Sequence, residues 1–290
     1  MTGFADVAYW TAADGARLAL RRAPAAAPAR AALILLHGFG DHSGRYGDVA
    51  AWFAARGVSV YALDQRGHGR SPGKRGHVSR FAQFLSDVAA LRKLVAGEEA
   101  GPQLLLGHSF GATVALRYLE TGPPGVAGAS VSSPVLAVAM KVALWKVLLA
   151  RLLADIRPAL PVATGLDVAQ LSTDPAIGQA AKSDPLYHRV MTPRAYREVK
   201  AAQTAVVAEG RHLAVPLLFL LAGDDRIVGR EAAEAFARSL SGDVTVRVYD
   251  GFFHEVFNEP QRARVFRDVE QWLERVLEAP APHGAGPAIR

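Results

Sequence analysis

Ser109 stands at the centre of Gly107-His-Ser-Phe-Gly111, a Gly-x-Ser-x-Gly pattern, and Asp225 and His254 follow it in that order. A serine hydroxyl is a poor nucleophile until an imidazole takes its proton. The imidazole in turn needs a carboxylate to fix its tautomer and stabilise its charged form. Serine, acid, histidine in this chain order suits a nucleophile carried on a sharp strand-to-helix turn. Asp224 stands beside Asp225 and competes with it for the acid's part.

The elements around these residues supply that turn. Three leucines before Gly107 make a buried strand from Gln103, and Ala112 to Leu119 make a helix, so Ser109 falls between them. Gly107 and Gly111 let a strained backbone pass close to its neighbours, and Ser109 is expected to be pushed out into solvent. Upstream, Ala31 to Leu36 is an apolar run too short for a helix, a fully buried strand that opens into His37-Gly38-Phe39-Gly40. A tetrahedral acyl intermediate carries a negative oxygen that preorganised backbone N–H groups stabilise. The N–H groups of Phe39 and Phe110 are the candidates.

The rest of the chain reads as alternating strand and helix. Residues 4–10 and 16–22 form a hairpin about Asp14-Gly15. Tyr46–Arg56 is helical, Val58–Leu63 a strand, Phe81–Val95 a helix and Val126–Val131 a strand. The alternation implies an α/β fold with a mostly parallel sheet and helices on both faces. It stops at about residues 134–211, where apolar helix and polar loop replace it. It resumes with strand Leu217–Ala222, helix Glu231–Leu240, strand Val244–Tyr249 and a helix over 262–277. Asp225 and His254 thus both follow strands, at the ends where parallel sheets place their sites. The expected organisation is one domain over 1–290, with an insertion at 134–211 and a disordered tail at 280–290.

Composition narrows the functional classes. The net charge is +6, but six lysines and 27 arginines are scattered without a basic block, so nucleic acid is not an expected partner. The chain has no cysteine, which removes disulfides, thiolate nucleophiles and cysteine-bound metals. No cofactor and no metal is expected. His68, in the loop Asp64-Gln-Arg-Gly-His-Gly-Arg-Ser, has no acid or second histidine at metal spacing and is read as structural. The N-terminus shows no signal peptide, so the expected location is cytoplasmic. Val135–Leu153 nearly has bilayer length, yet Lys141, Lys146 and Arg151 would each cost about 2.5–3.5 kcal/mol near the membrane centre.

His37-Gly-Phe-Gly-Asp-His-Ser-Gly-Arg-Tyr46, the Asp64–Ser71 loop and the elbow together resemble the monoacylglycerol lipase and lysophospholipase group of α/β-hydrolases, over nearly the whole chain. The resemblance implies an α/β-hydrolase fold and a metal-free serine esterase acting on lipid esters with one acyl chain, with a lysophospholipase, a general carboxylesterase and a non-catalytic lipid-binding protein on the same fold as the alternatives. It favours Asp225 as the acid, because the family's acid precedes an Arg-Ile-Val-like run. It also implies a mobile, apolar cap at 134–211. Val135–Leu153 is read from its own residues as a cap helix in transient peripheral contact with membrane, with a buried helix as the alternative. Arg45 matches a family arginine near the polar end of the substrate, while pairing with Asp41 or Asp48 is the alternative for it. Ala181, before Lys182-Ser-Asp-Pro-Leu186, departs from the tyrosine of mammalian members. Nothing in the sequence fixes an oligomeric state.

Overall fold

Runs such as Ala31–Leu36 and Leu217–Ala222 carry no polar side chain, so they are stable only where both faces of a strand are covered. A computed structural model of the chain, describing residues 3–26, 28–137, 144–210 and 213–278, places both inside one sheet, with a strand on either side and buried along their whole length. The sheet strands are β1 (Ala8–Thr11), β2 (Arg17–Ala23), β3 (Ala31–Leu36), β4 (Val58–Leu63), β5 (Gln103–His108), β6 (Val126–Ser132), β9 (Leu217–Ala222) and β10 (Val244–Tyr249). Their order is β1-β2-β4-β3-β5-β6-β9-β10. Only the pairs β1/β2 and β2/β4 are antiparallel; β4 through β10 run parallel. The C-terminal ends of β3, β5, β9 and β10 therefore open on the same side of the sheet.

Helices cover both faces because successive strand residues point to opposite sides. Leu33, Leu35, Leu104, Leu106, Leu218 and Leu220 pack with α1 (Gly47–Ala54) and α8 (Ala263–Glu278), the latter through Val265, Val269, Trp272, Leu273 and Val276. Ile34, Leu36, Leu105, Phe219 and Leu221 face the other way, toward α2 (Ala82–Glu98), α3 (Phe110–Leu119) and α7 (Arg230–Ser239). Each such apolar side chain contributes about 1.5–3 kcal/mol on burial.

Between β6 and β9 the chain leaves the sheet. This stretch carries α4 (Leu144–Ile156), β7 (Val162–Ala163), α5 (Pro175–Ser183), β8 (Val190–Met191) and α6 (Pro193–Glu209), with β7 and β8 pairing antiparallel as a separate ribbon. Thr192 caps α6 by accepting from Ala195 N–H, and Pro193 fits the first helical position. The helix buries Ala195, Val199, Ala202 and Val206 and lies against both α3 and α4. The helix expected over Val135–Leu153 does not start at Val135: residues 135–137 are irregular, residues 138–143 lie outside the described residues, and the helix runs from Leu144 to Ile156. The tail expected at 280–290 also lies outside the described residues. Leu148, Leu152 and Ile156, spaced four apart on α4, are 53%, 57% and 62% exposed. Among the described residues no helix is long and apolar enough to cross a membrane.

Candidate active site

The elbow forms because β5 ends in His108 and α3 starts at Phe110, leaving Ser109 a single residue in which to turn. Its φ of 54° and ψ of −113° are strained for a residue with a β-carbon. The turn is held by Ser109 N–H donating to Ser132 O (2.8 Å) and by Ser109 O accepting from Ala112 N–H (3.1 Å). The glycines serve close approach: a β-carbon on Gly111 would stand 2.1 Å from Leu36 O, and one on Gly107 would stand 2.5 Å from Gly111 O.

Ser109 is 6% exposed, which corrects the expectation that the turn pushes it into solvent. The His254 ring lies against its hydroxyl, and the loop after β3 closes the other side, where a β-carbon at Gly38 would be 3.5 Å from Ser109 Cβ. His254 Nε2 is 2.9 Å from Ser109 Oγ, and His254 Nδ1 is 2.8 Å from Asp225 Oδ2. With Nδ1–H donating to the carboxylate, Nε2 is left to accept the serine proton. Asp225 Oδ1 accepts from Ile227 N–H (2.9 Å) and Val228 N–H (3.0 Å), which orients the carboxylate. Asp224 is exposed and makes no contact with the imidazole; its N–H donates to Phe252 O.

Burial alone would push the His254 pKa down. The carboxylates of Asp225, Glu255 and Asp41 outweigh it and raise it above 6.5. Burial would likewise raise Asp225, but His254 and the two amides bring it below the ordinary value. The neighbouring His108, 4.9 Å from His254 between ring centroids, is pushed down to about 3 by burial and by His254, so it stays neutral. These opposed directions on adjacent imidazoles single out His254 as the one suited to gain a proton.

Phe39 and Phe110 meet edge to face at 5.5 Å between centroids, which brings the loop after β3 to the head of α3. The first amides of a helix have no intrahelical acceptor, and the dipole there favours negative charge, so Phe110 N–H is suited to an oxyanion. Gly40 keeps this loop tight against the insertion: its φ is +79°, its O accepts from His188 N–H (2.8 Å), and a β-carbon would strike His188 O. His68 is buried among Phe39, Phe110 and His188, with Nδ1 3.0 Å from Arg66 O. Burial holds it well below the ordinary histidine value, so it is neutral packing. Among the described residues no group of three histidine or acidic side chains is placed to hold a metal ion.

Arg45 sits on the 3-10 turn Ser43–Tyr46, and its guanidinium is engaged by carboxylates. Nη1 and Nη2 grip Glu255 Oε1 and Oε2 at 2.7 and 2.8 Å, and Nη1 also reaches Asp41 Oδ1 at 3.1 Å. Asp48 instead pairs with Arg262. Glu255, one residue after His254, had no sign of this in the sequence, since its partner lies 210 positions away. Ser133 and Glu259 likewise carry no local signal in the sequence. Ser133 Oγ donates to His254 O (2.8 Å), and Glu259 accepts from Phe253 N–H (2.7 Å) and from Thr173 of the insertion, so both pin the histidine loop.

The family described as serine aminopeptidase, S33 (Hydrolase_4) matches residues 27–261. A monoacylglycerol lipase of Mycolicibacterium smegmatis is 34% identical over 84% of this chain and 88% of its own. Phospholipase YtpA of Bacillus subtilis is 31% identical over 85% of this chain and 96% of its own. Among solved structures, the monoacylglycerol lipase of Paleococcus ferrophilus is 32% identical and superposes with a TM-score of 0.81, covering 89% of this chain and 99% of that one.

Proposed function

The chain belongs to the serine aminopeptidase S33 family of α/β-hydrolases, and from that premise we propose that it is a serine ester hydrolase cleaving lipid esters with a single acyl chain. The observation that carries the reading is the continuous chain of hydrogen bonds from Ser109 through His254 to Asp225. His254 takes the Ser109 proton as Oγ attacks the ester carbonyl. Phe39 and Phe110 N–H groups receive the oxyanion, and His254 then protonates the leaving alcohol. Water enters, loses its proton to His254 and releases the fatty acid, with Asp225 stabilising the imidazolium throughout. Arg45 is held by Asp41 and by Glu255, the residue after His254.

Residues 134–211 act in this reading as a cap. The exposed row Leu148, Leu152 and Ile156 supports peripheral contact with a lipid surface, because an apolar stripe at i, i+4, i+8 left in water gains by lying in the interface. The phospholipase among the relatives favours a second reading, hydrolysis of lysophospholipids by the same acyl-enzyme route. A panel of a monoacylglycerol, a lysophosphatidylcholine, a short p-nitrophenyl ester and an aminoacyl anilide separates the possibilities. The proposal expects the highest kcat/KM on the monoacylglycerol. Preference for the lysophospholipid would select the second reading, and turnover of the anilide alone would refute both.

A further inference from the structure

The proposed base and the proposed oxyanion donors ride on loops from strands that do not touch. Three strands separate β3 from β10 in the sheet, so no backbone ladder fixes the end of one against the end of the other. Yet the oxyanion must form within reach of both sets of groups, and displacement of about 1 Å in such an arrangement costs roughly 100-fold in rate. Something other than the sheet must set their distance.

Arg45 and Glu255 meet this need. The loop after β3 contributes Arg45, and the loop after β10 contributes Glu255, adjacent to His254 in sequence. The two bond through both terminal guanidinium nitrogens and both carboxylate oxygens. Their side chains are only 12% and 6% exposed. Each end is itself anchored. Asp41 binds Arg45 from within its own loop and accepts from Tyr46 OH (2.8 Å), while Glu255 Oε2 accepts from Asn258 Nδ2 (2.7 Å) and Glu255 N–H donates to Leu171 O (2.7 Å). A planar fork held at both prongs transmits position in a way a single contact cannot. A buried ion pair is weak evidence for stability, since apolar residues of the same volume serve as well. That leaves geometry and charge as what the pair supplies.

We propose that Glu255 is a positioning residue for the reaction: its two-pronged grip on Arg45 fixes the loop of His254 against the loop of Phe39. The inference rests on the reading of Ser109, His254 and Asp225 as the reacting set. Two carboxylates share one guanidinium here, so the cluster also leaves surplus negative charge beside the imidazole. The charged and titratable groups acting on His254 are Asp225 from the loop after β9, His108 from the end of β5, Asp41 from the loop after β3, and Glu255, with Arg45 paired to the last two. Removing Glu255 therefore makes the imidazole harder to protonate. Removing Arg45 exposes it to two unpaired carboxylates and makes it easier to protonate.

The test compares Glu255→Gln, Arg45→Met and Arg45→Lys with the wild type and Ser109→Ala, reading kcat and KM on a short p-nitrophenyl ester between about pH 5 and 9, alongside thermal melting. Glu255→Gln and Arg45→Lys should each lower kcat about 10- to 100-fold with little change in KM. The lysine variant keeps the charge but loses the fork, and its acid limb should stay in place. The acid limb should move to lower pH in Glu255→Gln and to higher pH in Arg45→Met. Wild-type kcat in both Glu255→Gln and Arg45→Lys overturns the proposal. So does a loss of melting temperature with the acid limb moving the same way in Glu255→Gln and Arg45→Met. Failure of the underlying reading looks different: Ser109→Ala would then keep wild-type turnover, and the clamp would fall with it.

Discussion

His254 Nε2 lies 2.9 Å from Ser109 Oγ across 145 positions of chain, with both groups almost completely buried. The contact exists because parallel strands deliver β5 and β10 to the same edge, and because Asp225, at the end of β9, holds the far side of the ring. Its burial gives the pair chemical leverage. Little water competes for the serine proton, and the charge that forms on the imidazole meets a carboxylate in surroundings of low dielectric.

The first prediction concerns pH. A protonated imidazole cannot accept from Ser109, so activity must fall as pH drops through the His254 pKa. Since that pKa is raised above 6.5, the acid limb of kcat/KM should lie above pH 6.5. A limb well below it would contradict the electrostatics described for the site. The stability linkage has the opposite sense for the two partners. The raised His254 contributes stability present in full below 6.5 and lost as pH rises through its folded value. The lowered Asp225 contributes stability present above 3.8 and lost as pH falls through its folded value.

The two adjacent aspartates should separate cleanly. Asp225→Asn removes the charge that fixes the imidazole and should cost about 10⁴-fold in kcat, with the melting temperature changed far less. Asp224→Asn, at an exposed side chain, should stay within a few-fold of wild type. Equal losses in the two variants would mean that the acid has been misassigned.

Gly111→Ala tests the packing that makes the elbow. The added β-carbon would stand 2.1 Å from Leu36 O, a backbone atom fixed in the central sheet, so α3 must move. A destabilisation of about 2–4 kcal/mol is expected, read as a lowered denaturation midpoint. An unchanged midpoint would show that the strand-to-helix turn is looser than described.

How much of this was legible beforehand follows from the physics of each part. β3, β4, β9 and β10 match the expected ranges to the residue, since a buried or alternating apolar run bounded by turn residues leaves little choice. That Ser109, Asp225 and His254 come together was legible because each follows such a strand. The Arg45–Glu255 bond was not, because a contact between two loops 210 positions apart has no local pattern. The burial of Ser109 has no local pattern either, because loops contributed by other strands enclose it. β7 and β8, two residues each, are too short for any periodicity to register.

The apolar row on α4 carries a prediction of its own. Replacing Leu148, Leu152 and Ile156 together by serine should weaken sedimentation with phosphatidylcholine vesicles, each leucine or isoleucine contributing about 1–2 kcal/mol at an interface. Hydrolysis of a vesicle-borne ester should fall more than that of a soluble one. Equal vesicle binding by variant and wild type would remove the row from the account.

The central claim is that Ser109 is the nucleophile of an acyl-enzyme. The most direct measurement is mass spectrometry of the chain after reaction with a fluorophosphonate, run beside ester turnover by wild type and Ser109→Ala. One phosphonyl adduct is expected on Ser109 and none in the variant, with turnover lost in both the labelled protein and the variant. An adduct elsewhere, or wild-type turnover by Ser109→Ala, would contradict that claim.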